Sequence, residues 1–379
     1  MAIGNRSISM KTPRQKTVQI TLTERCNLNC VYCYETNKST EVMSFDVFRE
    51  VIERSFEESG DCERIEFDFH GGEVGLVLDE LTHYCEWLWS HKWPKPYRCF
   101  ATTNGTLVHG KWKDWFARNS GRICLGLSLD GTRDMHNANR SDSYDKIDLQ
   151  FFRKTWPQQG CKMTISPKTL PCLCEGVIHL CGLGFAVSAN LAFGPKWERE
   201  ILAVYERELA RLVEYFASRP DLEVPNLLDF PIERLGHVVL TGKDPEPRWC
   251  GSGRLMTCYS PTGRRYPCQM FMGSTGCSEV GLGRVYELMR SDVPLDDPKC
   301  KECFLLGVCP TCYGQSYLQT GDPCCRCSAM CDFRKLEAKA SVKLLAKRMK
   351  SEQWRKARSQ GELQRLAAGA LQINRGAHG

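Results

Sequence analysis

The run Cys26-Asn27-Leu28-Asn29-Cys30-Val31-Tyr32-Cys33 constrains this chain more than any other stretch. It directly follows residues 18–23, whose alternating apolar pattern predicts a strand. Three thiolates spaced C-x3-C-x2-C offer soft ligands to an iron–sulfur cluster or to zinc. Three ligands rather than four leave one iron of a [4Fe–4S] cube open to another molecule. Zinc and simple buried thiols remain the alternatives, because short cysteine groups often hold zinc.

Cysteine is abundant throughout, at 23 of 379 residues. The first sixteen residues are polar and basic and lack the apolar core of a signal peptide. Clustered cysteines without a secretory signal point to metal binding rather than cross-linking, and to an oxygen-sensitive cytoplasmic protein. No apolar run is long enough for a bilayer, so no membrane partner is expected. A net charge of +6 over this length gives no case for nucleic acid. The length allows two or three domains.

From residue 18 short apolar segments alternate with helical periods. Strands are expected at 18–23, 65–69, 97–102, 123–129, 162–166 and 186–192. Helices are expected after Ser44, a good N-cap, and at 80–90, 111–118, 149–156, 169–181 and 198–218. Six βα units predict an α/β fold with a parallel barrel or an open part of one. Chemistry then belongs at the carboxyl ends of the strands, where the cysteine run sits. Later strands end in His70-Gly71-Gly72-Glu73, Thr102-Thr103-Asn104-Gly105 and Ser128-Leu129-Asp130-Gly131. Each is a plain βα turn on its own; three in succession on adjacent strands mark a site. Trp87, Trp89, Trp93, Trp112 and Trp115 are read as packing. His83, His91 and His136 receive no role. Cys62, Cys85, Cys99, Cys124, Cys161, Cys172, Cys174 and Cys181 are read as small buried apolar groups, with Cys172 and Cys174 the weakest cases.

The cysteine spacing, with Tyr32 just before the third cysteine, resembles the radical S-adenosylmethionine (SAM) superfamily. The resemblance implies a partial (β/α)6 barrel over residues 17–219, after an extension at 1–16. It implies that Cys26, Cys30 and Cys33 hold a [4Fe–4S] cluster whose open iron chelates SAM. Reduction would then release a 5′-deoxyadenosyl radical. Gly71-Gly72-Glu73 resembles the GGE motif that binds the SAM ammonium, with Val74 where proline is usual. Asn104 resembles the segment near the ribose, and Ser128 a further SAM contact. Arg140 is expected to pair with the SAM carboxylate or with Asp130.

Residues 220–247, rich in proline, are expected to be a connection. Beyond them lie Cys250, Cys258 and Cys268, then Cys300-x2-Cys303-x5-Cys309-x2-Cys312, then Cys324, Cys325, Cys327 and Cys331. Residues 248–332 resemble the SPASM domain of peptide-modifying radical SAM enzymes, which binds two auxiliary [4Fe–4S] clusters. The resemblance implies one cluster on Cys250, Cys258, Cys268 and Cys312. The second would use Cys300, Cys303, Cys309 and a distal cysteine, Cys331 with Cys327 as runner-up. Two residues rather than the family's three separate Cys309 from Cys312. Zinc is again the alternative. Residues 333–379 are expected to be a basic, solvated helical tail that frays from 367.

The implied function is peptide maturation: oxidation or cross-linking of a residue in a ribosomally made peptide. The partners would be that peptide, a reductant such as flavodoxin or ferredoxin, and a separate leader-recognition protein, since only sixteen residues precede the first strand. One alternative is an anaerobic sulfatase-maturing, formylglycine-generating enzyme. That family has an aspartate after the cysteine matching Cys268, and here the residue is Gln269. A second alternative is a non-catalytic iron–sulfur carrier or scaffold.

Overall fold

The computed structural model describes residues 14–242, 250–278, 280–290, 297–306, 308–310, 312–326 and 330–376. Cys327, Glu279 and residues 1–13 lie outside these. Six strands run parallel: β1 (Gln15–Thr23), β2 (Arg64–Gly71), β3 (Tyr97–Thr103), β4 (Ile123–Ser128), β5 (Cys161–Ile165) and β6 (Val187–Leu191). The intervening helices are α1 (Phe45–Glu57), α2 (Leu78–Ser90), α3 (Lys111–Arg118), α4 (Arg133–Asn139), α5 (Leu149–Thr155) and α6 (Leu173–Gly182); α7 (Ile201–Ser218) follows β6. The arrangement is the expected partial (β/α)6 barrel.

Strand β2 shows why the sequence makes two faces. Ile65, Phe67 and Phe69 are fully buried under Phe48, Val51, Ile52 and Phe56 of α1. Ser44 caps that helix, its hydroxyl accepting from Val47 N at 3.4 Å. Phe48 stacks on Tyr84 and Phe56 on Trp93, with ring centroids 4.6 and 4.7 Å apart, so the tryptophans of this layer do pack. The alternate residues Glu66, Asp68 and His70 face the other way, into the barrel lumen. There Glu66 pairs with Arg98 of β3. Lys162 of β5 donates to Thr102 Oγ1 of β3 at 2.9 Å. The reach across β4 is open because Gly126 has no side chain; a Cβ there would lie 2.4 Å from the Phe100 ring.

The cysteine-rich region extends the same sheet, which the sequence did not indicate. Strand β7 (Met256–Tyr259) pairs parallel with β1, and β8 (Arg265–Tyr266) antiparallel with β7. The strand order is β6-β5-β4-β3-β2-β1-β7-β8. Strands of four and two residues are too short for periodicity to betray them.

The expected connection at 220–247 contains a helix, α8 (Ile232–Thr241). After α9 (Leu282–Arg290) and α10 (Tyr313–Thr320), α11 (Cys331–Arg348) lies along α7 rather than in solvent. Its Phe333, Ala338 and Leu344 are buried, and Glu337 accepts from Tyr205 Oη at 2.8 Å. After α12 (Glu352–Lys356), α13 (Gln360–Gly376) packs on α8, with Ile373 fully buried, where fraying was expected. Two glycines allow the helices to close: a Cβ on Gly369 would lie 2.1 Å from Ile232 O, and one on Gly236 1.7 Å from Arg365 O. Basic side chains along 333–379 hide this face, because charge dominates the composition while the small buried residues carry no strong pattern.

Candidate functional site

The loop after β1 is held at its root by the turn after β2. Gly72 N donates to Thr23 O at 3.0 Å and Glu73 N to Arg25 O at 2.9 Å. The paired glycines are needed for that approach, since a Cβ on Gly71 would lie 2.2 Å from Thr23 O and one on Gly72 2.4 Å from Arg25 O. Glu73 is buried, and burial pushes its carboxyl up. Three donors offset this: Thr103 Oγ1 at 2.6 Å, Asn104 N at 2.7 Å and Gly75 N at 2.7 Å. Asn104 Nδ2 donates to Asn27 Oδ1 at 2.9 Å, and Asn27 Nδ2 to Thr106 Oγ1 at 2.9 Å. Asn27, inside the cysteine run, thus ties that run to the end of β3.

The other side of the loop is held from β4. Asp130, fully buried, accepts from Tyr32 Oη at 2.6 Å, from Thr164 N at 2.8 Å and from Asn139 Nδ2 at 3.1 Å. Arg140 Nε lies 2.9 Å from Asp130 Oδ2, so of its two expected partners the structure contains Asp130. Burial works against the Arg140 charge, but the carboxylate outweighs it and holds the guanidinium protonated. Asn139 O accepts from Val31 N at 3.0 Å, and Ser141 Oγ from Asn29 N at 2.9 Å. Ser141 and Asp142 adopt φ of 54° and 50°, a left-handed kink rare outside glycine. His136 is buried under the same network, its Nδ1 accepting from Asp130 N at 3.3 Å. Burial, then the Arg140 charge, lower its pKa to about 4.

Cys26, Cys30 and Cys33 therefore stand on a loop fixed at both flanks. Each of Cys26 and Cys30 feels Cys33 as a like-charged neighbour, and the Lys38 ammonium lies against Cys33 and Cys26. Burial pushes Cys30 up to about 11, partly opposed by the Arg140 charge, and a bound cation would favour its thiolate. Among the described residues no three His, Cys, Asp or Glu are gathered closely enough for a single metal ion. The three thiols act on one another electrostatically and are soft ligands of the kind an iron–sulfur cluster takes. Ser128, buried, faces the lumen opposite Lys162 in the β4–β5 register. Tyr32, Gly71, Gly72, Glu73, Asn104, Ser128 and Arg140 all lie around the same strand ends.

Six of the C-terminal cysteines fall in two neighbourhoods. Cys268 feels Cys312 and Cys250, and Cys312 feels Cys250. Cys300 feels Cys303 and Cys331, which places the expected distal cysteine beside that pair. Cys309 lies near Arg334 at the start of α11. Cys258 sits in β7 opposite Gln19, with its Sγ 3.8 Å from Thr21 Oγ1 and 3.6 Å from Met272 Sδ. The groups acting on it are Thr21, Asp68, Glu35 and Glu24, so it faces the barrel lumen. Of the scattered cysteines, Cys62, Cys85, Cys99, Cys161 and Cys174 are buried, Cys124 and Cys181 half-buried, and Cys172 exposed against expectation.

Sequence reasoning missed Asn27, Thr103, Asn139, Asp68, His70 and Lys162. The alternation Glu66, Asp68, His70 within an apolar strand was the available signal, since it puts three ionisable groups on one face.

No protein-family model matches the chain. The cysteine-type anaerobic sulfatase-maturating enzyme of Clostridium perfringens is 33% identical over 128 residues, 31% of this chain and 33% of that enzyme. The chain thus spans about a third of the length of that curated relative. Among solved structures, the tagged anSMEcpe with bound AdoMet superposes at a TM-score of 0.71 and 17% identity, covering 94% of this chain and 99% of that one. Streptococcus suis SuiB bound to the precursor peptide SuiA superposes at 0.55 and 14% identity, over 84% and 76%. Among the described residues no helix is long and apolar enough to cross a membrane.

Proposed function

We propose that this chain, a radical SAM protein with a C-terminal SPASM domain, removes hydrogen from a residue of a peptide or protein held at the carboxyl end of the barrel. The observation that carries the reading is the three-thiol loop, fixed by Glu73 on one side and Asp130 on the other, at the mouth of a polar lumen. A reduced cluster on Cys26, Cys30 and Cys33, with SAM on its open iron, would supply the carbon radical that no side chain can generate. The chain's own residues would place and enclose the reactants. The fourth lone-pair site of Glu73 would receive the SAM ammonium, Asn104 and Ser128 would line the cofactor, and Arg140 would fix Tyr32 through Asp130. Two auxiliary clusters, on Cys250, Cys258, Cys268 and Cys312 and on Cys300, Cys303, Cys309 and Cys331, would take up the electron the substrate leaves. Flavodoxin or ferredoxin would supply the reducing electron.

The preferred product is an intramolecular cross-link in a small ribosomal peptide. Gln269 favours this over formylglycine formation, because an amide beside Cys268 cannot take up a proton. Formylglycine formation is the second reading, favoured by the sulfatase-maturating relative in sequence. A non-catalytic carrier would need neither an open iron nor a cofactor pocket. Anaerobic incubation of the reduced protein with SAM and a panel of peptides, read by tandem mass spectrometry, separates the three. A cross-linked peptide loses about two mass units, one hydrogen atom plus one proton and one electron, and resists fragmentation between the joined residues, which the barrel mouth would hold in near-attack geometry. Formylglycine in a sulfatase peptide alone reverses the ranking, and no SAM cleavage leaves the carrier.

A further inference from the structure

The lumen contains ionisable groups that the cofactor sites do not use. His70 and Asp68 stand two residues apart on β2 and so face the same way. His70 Nδ1 and Asp68 Oδ1 are enclosed and have no hydrogen-bond partner. Enclosed polar atoms without partners are uncommon and point to a ligand that completes them. His70 is the outermost lumen residue of β2, one position before the Gly71-Gly72-Glu73 turn, and lies opposite Thr21 of β1. It is therefore beside the cysteine loop, at the level where a substrate would meet the cofactor. The charged groups around it are Glu35 from the loop after Cys33, Lys162 from β5 and Asp68 from its own strand. Cys258 of β7, assigned above to an auxiliary cluster, lies level with Asp68, both being paired with Gln19. Burial, opposed by Glu35 and reinforced by Lys162, lowers the His70 pKa, so the imidazole is neutral at pH 7 and its lone pair is free.

We propose that His70 accepts the proton the substrate loses as it is oxidised. The inference rests on the function proposed above. The substrate would give up a hydrogen atom to the cofactor-derived radical, one electron to an oxidised auxiliary cluster and one proton to the imidazole. The sum is two hydrogens, which balances a new carbon–heteroatom bond in a cross-link or the oxidation of a thiol or hydroxyl carbon. Glu35 faces the imidazolium that results. Because His70 would serve either product, the peptide panel rather than Gln269 alone decides between the two readings.

The test compares modified peptide formed per 5′-deoxyadenosine released in the unaltered holoprotein, H70Q and H70A, with iron content and circular dichroism matched. The expected result is a fall in that ratio of about 100-fold in both variants, the size general-base removal produces. Added imidazole should restore at least a tenth of it in H70A, and the ratio in the unaltered protein should fall in acid. A ratio in H70Q within twofold of the unaltered protein overturns the inference, as does a loss in H70A that imidazole cannot relieve. Failure of the unaltered protein to modify any peptide overturns the functional reading, and the inference with it.

Discussion

The two cysteine-bearing regions are organised differently. The loop of Cys26, Cys30 and Cys33 is gripped by backbone and side-chain bonds from the ends of β2, β3 and β4, with Glu73 and Asp130 each accepting three or more. The C-terminal cysteines ride on 3-10 turns, a four-residue strand and helix starts, and two of the four groups acting on each of Cys268 and Cys300 are other cysteines. The contrast teaches that the first site is preorganised by protein alone, whereas the second depends more on what its thiolates hold. Pairs of neutral thiols give little cohesion, but thiolates around a bound cluster couple metal binding to folding.

The largest expected effect strikes the first region. Replacing Cys26, Cys30 or Cys33 by Ala should reduce SAM cleavage at least 1,000-fold, on the order of 4 kcal/mol or more in barrier terms, while the barrel stays folded by circular dichroism. Unfolding of such a variant would erase the contrast. Replacing Cys300 and Cys303 together should instead lower peptide modification at least tenfold and loosen the C-terminal region, seen as faster amide exchange in α9 and α10.

Next is Asp130→Asn. It strands the buried Arg140 charge and removes the acceptor for Tyr32. A loss of about 3–5 kcal/mol is expected in denaturant unfolding. His136 gives a smaller, pH-dependent version. Its pKa is about 4 in the fold against an ordinary 6.5, so between these values the unfolded chain binds the extra proton. Stability should therefore fall as pH drops from 6.5 to 4, by roughly 3 kcal/mol in all, and H136N should remove most of that slope. The smallest effect lies away from the three-thiol loop, on the helix that packs against the Cys303–Cys309 segment. Gly369→Leu should push α13 off α8 and cost about 1–3 kcal/mol, with SAM cleavage retained.

The same contrast explains what could be read from the sequence. Where the period of a barrel strand or helix repeats, as in β2 or α1, its position was legible, whereas α8 was missed and the end of α13 was expected to fray despite their length. The site motifs were legible because each stands at a strand end. What was not legible depends on contact between distant segments. Gly71 and Gly72 stood out as part of a GGE resemblance, and their close approach to Thr23 and Arg25 had no signal in the sequence. Asn27 and Asn139 act through partners far away in the chain. Strand β7 is defined by β1 and β8 by β7, and the seat of α13 by one glycine on α8, Gly236, and one of its own, Gly369.

The most direct test counts metal. Anaerobically purified and reconstituted protein should hold about twelve irons per chain, as three [4Fe–4S] clusters on three cysteine groups require. The variant lacking Cys26, Cys30 and Cys33 should hold about eight and cleave no SAM. Stoichiometric zinc with about four irons would contradict the assignment of the C-terminal region, and zinc with no iron would contradict the account as a whole.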